Sequence, residues 1–319
     1  MKVAAFLKLV ELPTKSVSMF TLAIGTVYAL YRFEDFSWIN FALMFLSLLT
    51  FDMCTTAINN YIDFKKAIKQ SGYGYEQHNG IVKYGLSERY VLVTIFTLLT
   101  IASVAGFILF LRTSLLILAL GGISFLVGIL YSFGPLPISR MPLGELFSGL
   151  FMGFVILYIS AVIHTGDEVM ALQFTEGLTV KLTLNLEEIL YMFAASIASI
   201  AAIANIMLAN NICDMEDDIE NRRYTLPVYV GKASAVKLFR SIYYASCLDI
   251  GIMLWLGVHP LLLIPVVLSY IPVLRNTRKF EEVQSKPLTF PLSVQNFMIL
   301  SAARIIAWGG ATLLSFIQA

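Results

Sequence analysis

The sequence predicts an all-α, polytopic membrane protein. Three observations carry that expectation. Hydrophobic residues make up 58% of the 319 positions and charged residues only 13%, against about 25% charged in an ordinary soluble domain. The apolar residues gather into runs near the roughly 20 residues that a spanning helix needs. Lys and Arg collect between alternate runs rather than evenly. A net charge of +1 gives no global basic signature, so nucleic acid is not an expected partner.

Nine transmembrane helices are expected, at about 16–31, 37–62, 90–111, 114–131, 143–164, 188–213, 236–257, 259–274 and 292–317. The first follows a mixed-charge start, "MKVAAFLKLVELPTK", and no cleavable signal peptide is expected there. The second ends in "INNYIDFKKAIK" (58–69). The third and fourth are joined by a very short connection, as are the seventh and eighth, so each pair is a helical hairpin. The fifth contains Gly149-x-x-x-Gly153, a spacing that permits close helix approach. The sixth runs for about twenty-five residues after Glu188 without a charge and ends in "ANNICDMEDDIENRR" (209–223). The eighth is bracketed by Pro260 and Pro272, and the ninth contains Arg304.

Orientation follows from the basic residues. With the N-terminus cytoplasmic, 18 Lys and Arg fall inside and 3 (Arg32, Arg112, Lys181) outside. That split also favours an odd number of spans with the C-terminus outside. Both Asn-Asn stretches then lie at cytoplasmic ends of outside-to-inside helices. The arrangement helix, Asn-Asn-Asp, basic loop, helix occurs twice in the same sense. The chain therefore reads as one domain, 1–319, with two weak internal repeats at about 16–164 and 165–319. Transporters also use repeats, with sites at the repeat interface, so the repeat alone does not select a function.

Cys54, Cys213 and Cys247 are scattered through apolar segments and fit neither a disulfide framework nor a zinc pattern. His78, His164 and His259 fall in expected loops and are read as solvated; only His78 lies in a loop on the side of the motifs.

Asn210, Asp214 and Asp218 are spaced four and four, and share one face if the helix continues. Clustered carboxylates repel unless a cation sits among them. Hard oxygen donors suit Mg²⁺, which takes one or two carboxylates plus substrate phosphate. Arg222, Arg223 and Lys232 follow within reach of phosphate oxygens. The bland alternative is a solvated loop, but Asn is costly at membrane depth and is paired there twice. In the first motif Asn59 and Asp63 match Asn210 and Asp214, while Ala67 stands opposite Asp218. Lys65, Lys66 and Lys69 surround it, either supplying positive charge at a diphosphate or contacting anionic lipid heads.

These motifs resemble those of the UbiA superfamily of intramembrane prenyltransferases. The family pattern is Asn-x-x-x-Asp-x-x-x-Asp on helix two and a related motif on helix six. Here it reads Asn59-x-x-x-Asp63, without the last acid, and Asn210-x-x-x-Asp214-x-x-x-Asp218, complete. "NNICDMEDDIENRRYTLPVYVGK" and "YSFGPLPISRMPLGELFSGLFMG" further resemble the 1,4-dihydroxy-2-naphthoate prenyltransferases of menaquinone synthesis. Departures are Cys213 in place of a frequent Arg, and Leu12-Pro13-Thr14-Lys15 in place of Arg-Pro-x-Thr.

The resemblance implies a UbiA-like bundle in a bacterial cell membrane with its site facing the cytoplasm. It implies Mg²⁺-dependent transfer of a polyprenyl group from its diphosphate to dihydroxynaphthoate, with loss of CO₂ and diphosphate. Asp63, Asp214 and Asp218 are then the catalytic metal ligands, supplemented by Asn59 and Asn210. Lys66, Arg222 and Arg223 are the expected phosphate clamps. Tyr131, Phe147 and Phe151 are candidates to surround the allylic cation. Membrane lipid is the remaining partner. Alternatives are another acceptor (4-hydroxybenzoate, haem, a chlorophyll precursor or a glycerol phosphate lipid), a secondary transporter with an acidic cation site, or a lipid-binding scaffold.

Three charges sit inside apolar runs: Asp52, Asp249 and Arg304. Charge at that depth is normally paired. Arg304 bridging to Asp52 or Asp249 is one reading; participation of Asp52 in the acceptor pocket is another.

Overall fold

The computed structural model describes residues 2–66, 79–134, 137–175 and 179–318. A short helix α1, Lys2–Leu9, leads into a single 3₁₀ turn at Leu12–Lys15, with Pro13 supplying the turn's fixed φ. The long helices follow: α2 Ser16–Phe33 and α3 Trp38–Lys66. A small helix α4, Gly80–Tyr84, is capped by the Asn79 side chain. Then come α5 Glu88–Arg112, α6 Leu115–Ser132 and α7 Gly144–Val162. The α5–α6 connection is the tight hairpin expected from the sequence. Within α7, Gly149–Val155 is π-helical.

The second half continues with α8 Leu186–Cys213, α9 Met215–Glu220, α10 Leu226–Val230, α11 Lys232–Ser246 and α12 Leu248–Trp255. It closes with α13 Ile264–Glu282 and α14 Phe290–Gln318. Asn185 caps α8 by accepting from the Glu188 N–H, and Glu187 and Glu188 sit in its first turn, where the helix dipole favours acid.

Among the described residues, seven helices are long and apolar enough to cross a membrane. They are α3, α5, α6, α7, α8, the run Pro260–Glu282 that contains α13, and α14. The first expected segment is α2, and the seventh is divided after Ser246 into α11 and α12. The eighth extends to Glu282, past Pro272, which lies inside α13. Packed neighbours tolerate proline within a membrane helix by re-satisfying the freed carbonyl.

A feature absent from the sequence reading is a two-stranded antiparallel hairpin, β1 Met170–Thr175 and β2 Thr179–Leu184, pairing Met170 with Leu184. The apolar alternation of Val180, Leu182 and Leu184 is its sequence signal.

Helices α2, α7, α8 and α14 pack on one another as the centre of the bundle. α3, α5 and α6 flank one side and α11 and α13 the other. The outer surfaces of α5 and α6 are apolar, with Val93, Phe96, Phe107, Leu111, Ile123 and Leu126 all exposed. Such a surface needs lipid, because water penalises it by roughly 25 cal/mol per Å².

Glycine makes the α7–α8 contact. A Cβ on Gly153 would lie 2.7 Å from the Ile200 amide nitrogen, and one on Gly149 2.9 Å from the Ile200 carbonyl oxygen. The Gly-x-x-x-Gly spacing therefore serves packing within the chain. Gly153→Ala is expected to cost about 1–3 kcal/mol by forcing the helices apart, read as a lower Tm of the solubilised protein.

Candidate active site

One face of α3 carries Asp52, Asn59 and Asp63, because intervals of seven and eleven return to nearly the same helical angle. Asp52 and Asn59 line a cavity of about 360 Å³ walled by α2, α3, α6, α7 and α8. Phe51, Tyr131, Phe147 and Phe151 line it too, and Ile203, Ile206 and Met207 of α8 close its far side. The structure thus brings Asn59 together with the three aromatic candidates Tyr131, Phe147 and Phe151. Phe147 and Phe151 lie parallel with ring centroids 6.0 Å apart.

Asn210 lies one helical turn beyond Met207 on α8. Its Nδ2 donates to Asp214 Oδ2 at 3.2 Å. The Lys286 ammonium, from the segment between α13 and α14, donates to Asn210 Oδ1 at 2.5 Å and forms an ion pair with Asp214. Helix α8 ends at Cys213, so the face holding Asn210 and Asp214 does not continue as one uninterrupted α-helix. The Asp218 N–H still bonds to the Asp214 carbonyl at 2.7 Å, which places Asp218 one turn further on, in α9.

Asp218 is buried. Arg223 Nε lies 3.3 Å from its Oδ1, and the Thr225 hydroxyl donates to its Oδ2 at 3.3 Å. Burial pushes its pKa up to about 6, against the lowering effect of Arg223.

The second Asn of each pair has a different task from the first. Asn211 Nδ2 donates to Glu145 Oε1 at 2.8 Å, and Asn60 Nδ2 donates to the Leu9 carbonyl at 2.9 Å. Both are buried and tie the motif helix to its neighbour. The two stretches singled out for their naphthoate-type likeness also meet. Arg223 Nη2 donates to the Ser139 carbonyl at 3.4 Å, and the Tyr224 N–H to the Arg140 carbonyl at 3.2 Å.

Other expected residues fall less centrally. Arg222 is exposed, with a left-handed φ of 55°. Lys232 faces a separate depression beside Lys237 and Arg240. The Lys66 side chain, Ala67, Lys69 and His78 lie outside the described residues. His164 is not solvated: it is buried and accepts from the Ser37 N–H at 3.1 Å, because α7 turns inward against residues 36–41.

The intramembrane charges divide into two pairs. Arg304 binds Asp249 at 2.6 Å, with both side chains 1% exposed. Asp52 instead takes Lys15 at 2.6 Å. Neither Lys15, noted in the sequence as a basic residue and in the departure from Arg-Pro-x-Thr, nor Lys286 is expected from the sequence to pair with a motif-helix acid.

Among the described residues no group of three or more His, Cys, Asp or Glu is placed to hold a metal. Asp63, Asp214 and Asp218 are therefore not gathered into one triad. The donor chemistry still suits a hard cation. Asn210 Oδ1 and Asp214 Oδ2 both point at one positive charge, the Lys286 ammonium.

A helical bundle with apolar outer faces and an internal aromatic-walled cavity that reaches Asn59 of the first Asn/Asp motif is the arrangement of a membrane-embedded protein with an internal binding site. The chain belongs to the UbiA prenyltransferase family, whose model matches residues 18–290. It is similar to the 1,4-dihydroxy-2-naphthoate octaprenyltransferase of Bacillus subtilis (strain 168), with 29% identity over 233 residues, 72% of this chain and 67% of that one. Its fold is similar to an apo UbiA homolog from Aeropyrum pernix K1, with TM-score 0.65 and 17% identity over 94% of this chain and 98% of that one. It is similar also to a UbiA homolog from Archaeoglobus fulgidus bound to DMAPP and Mg²⁺, with TM-score 0.62 and 14% identity over 97% and 98%. The protein is accordingly a prenyltransferase with several membrane-spanning helices.

Proposed function

We propose that the protein transfers a polyprenyl group from polyprenyl diphosphate to 1,4-dihydroxy-2-naphthoate, giving demethylmenaquinone, CO₂ and diphosphate. The observation that carries the transfer chemistry is the cavity joining Asn59 to Tyr131, Phe147 and Phe151. Similarity to the B. subtilis 1,4-dihydroxy-2-naphthoate octaprenyltransferase supports this acceptor.

In this reading the bundle has nine spans in two parallel repeats, with the N-terminus and both motifs cytoplasmic and the C-terminus outside. Asp63 of the first motif and Asp214 and Asp218 of the second would hold Mg²⁺ once substrate is bound, supplemented by Asn59 and Asn210. When bound, the ion neutralises charge growing on the leaving diphosphate. Lys66, Arg222 and Arg223 add fixed positive charge at the same oxygens. The Lys286 ammonium, paired here with Asp214, is a further positive charge beside the second motif. The aromatic wall excludes water and stabilises the allylic cation, at about 0.5–2 kcal/mol per favourable contact. The ring carbon attacks that cation, and loss of the acceptor's carboxylate as CO₂ restores the ring.

The test is purified protein with Mg²⁺, a polyprenyl diphosphate and dihydroxynaphthoate, followed by mass spectrometry. Prenylated, decarboxylated naphthoquinol is expected, and chelation should remove it. Product from 4-hydroxybenzoate alone would reassign the acceptor. A separate expectation concerns Lys286. Lys286→Met should bind Mn²⁺ severalfold more tightly than the parent without substrate, because one competing cation is gone. Spin-resonance titration of free Mn²⁺ reads this without turnover. Unchanged affinity would remove Lys286 from the metal face.

A further inference from the structure

Much of the cavity wall is apolar and aromatic; Asn59, Ser124, Ser132 and Ser148 add neutral polar groups, and Glu11, Lys15 and Asp52 are its charged residues. Lys15 Nζ lies 2.6 Å from Asp52 Oδ1, 3.1 Å from the Asp52 carbonyl and 2.5 Å from Thr56 Oγ1. The ammonium's three protons are thereby all engaged. The Ser18 hydroxyl donates to Asp52 Oδ2 at 2.5 Å. Lys15 is 4% exposed and Asp52 14%. Both residues line the cavity, and with the ammonium's protons all engaged the carboxylate is the member of the pair left able to take a further hydrogen bond. Each carboxylate oxygen accepts one of these side-chain donors and retains a lone pair, so this corner of the cavity offers a fixed hydrogen-bond acceptor.

An ion pair that served packing alone would be closed off on all sides, as Arg304–Asp249 is. This one opens on the space bounded by Tyr131, Phe147 and Phe151. It also stands seven residues from Asn59 on the same face of α3, about 10 Å along the axis at 1.5 Å per residue. That interval fits a fused aromatic ring lying between the motif end and the corner. A prenyl chain has no donor for a carboxylate and would be repelled by it.

We propose that Asp52, clamped by Lys15 and Ser18, receives the hydroxyl hydrogen of the phenolic acceptor ring. The hydrogen bond fixes the ring's orientation. It also raises electron density on the ring oxygen, and with it the nucleophilicity of the carbon that attacks. Asp52 is then a substrate-contacting residue, and Lys15 and Ser18 are positioning residues that hold its carboxylate in place. This inference deepens the prenyl-transfer reading and rests on it.

The test compares acceptors that differ in one hydrogen. Wild-type protein and Asp52→Asn are titrated with dihydroxynaphthoate and with each of its mono-O-methyl ethers, and turnover is measured in parallel. Wild type should bind the parent roughly 10–100-fold more tightly than one of the ethers, the range of a charge-assisted hydrogen bond. Asp52→Asn should erase most of that difference and lower kcat, with KM for polyprenyl diphosphate unchanged. Asp52→Asn leaves Lys15 without its counter-charge, so the same measurement is made on the neutral pair Lys15→Met/Asp52→Asn. A hydroxyl preference that survives in both variants would overturn the proposal. Should wild type not turn over the naphthoate, the acceptor assignment fails instead. The corner is then decided by 4-hydroxybenzoate against 4-methoxybenzoate: preference for the hydroxyl, lost in Asp52→Asn, supports it, and equal binding by wild type overturns it.

Discussion

Asp214→Ala and Asp218→Ala are each expected to lower prenyl transfer at least about 100-fold, the scale seen when one preorganised charge contact to a transition state is removed. The two losses should differ in kind. Asp214 is half-buried, and among the described residues its carboxylate is held by Asn210 and Lys286. Its removal should leave the bundle intact and appear as a loss of transfer, with a higher Mg²⁺ requirement, that saturating Mg²⁺ does not fully restore. Asp218 is 3% exposed and anchors Arg223 and Thr225. Its removal also strands the Arg223 guanidinium, so some loss of stability accompanies the loss of transfer. Product formation at saturating Mg²⁺, read by mass spectrometry beside a thermal melt, separates the effects. Full activity of either variant at saturating Mg²⁺ would sink that residue's role. Asp218→Asn is the control for shape: it retains an acceptor for Thr225 but not the charge.

How much of this was legible in the sequence depends on range. Helices and the spacing of Asn59–Asp63 and Asn210–Asp214 are local periodicities, and most helices appeared within a few residues of their expected place; the seventh is split after Ser246 and the eighth runs on to Glu282. The difference between the two asparagines of each pair was not legible. It depends on which neighbour lies opposite: Leu9 for Asn60 and Glu145 for Asn211. The pairing of charges was harder still. Arg304 had two acids at comparable depth, and only the packing of α14 near α12 rather than α3 decides for Asp249. Lys15 and Lys286 stand 37 and 72 positions from their acids. No pattern in a linear sequence marks a lysine that folds back over that distance. The break of α8 at Asp214 was also hidden, because an Asp-rich run is compatible with both a helix end and a helix start.

Breaking the Arg304–Asp249 pair should be the most destabilising single change among the charged residues discussed. The guanidinium donates from Nε to Asp249 Oδ2 at 2.7 Å, from Nη1 to the Leu300 carbonyl at 2.8 Å and from Nη2 to the Tyr270 hydroxyl at 3.1 Å. Tyr270 in turn donates to the Ser246 carbonyl at 2.7 Å, at the break between α11 and α12. One buried cation thus ties α11, α12, α13 and α14 together. Asp249→Leu leaves that cation with no counter-charge and should cost about 3–5 kcal/mol, whereas replacing both partners by apolar groups is often neutral. Asp249→Leu is therefore expected to melt far below wild type and Asp249→Leu/Arg304→Met to recover most of the loss. Transfer activity decides what the recovery means. A pair that only joins helices lets the double variant turn over normally. A pair that reaches the acceptor pocket leaves it stable and impaired. The 1% exposure of both side chains and their absence from the cavity lining favour the first outcome. The Lys15–Asp52 pair differs on both counts, so the same double-neutral substitution there should restore stability without restoring transfer.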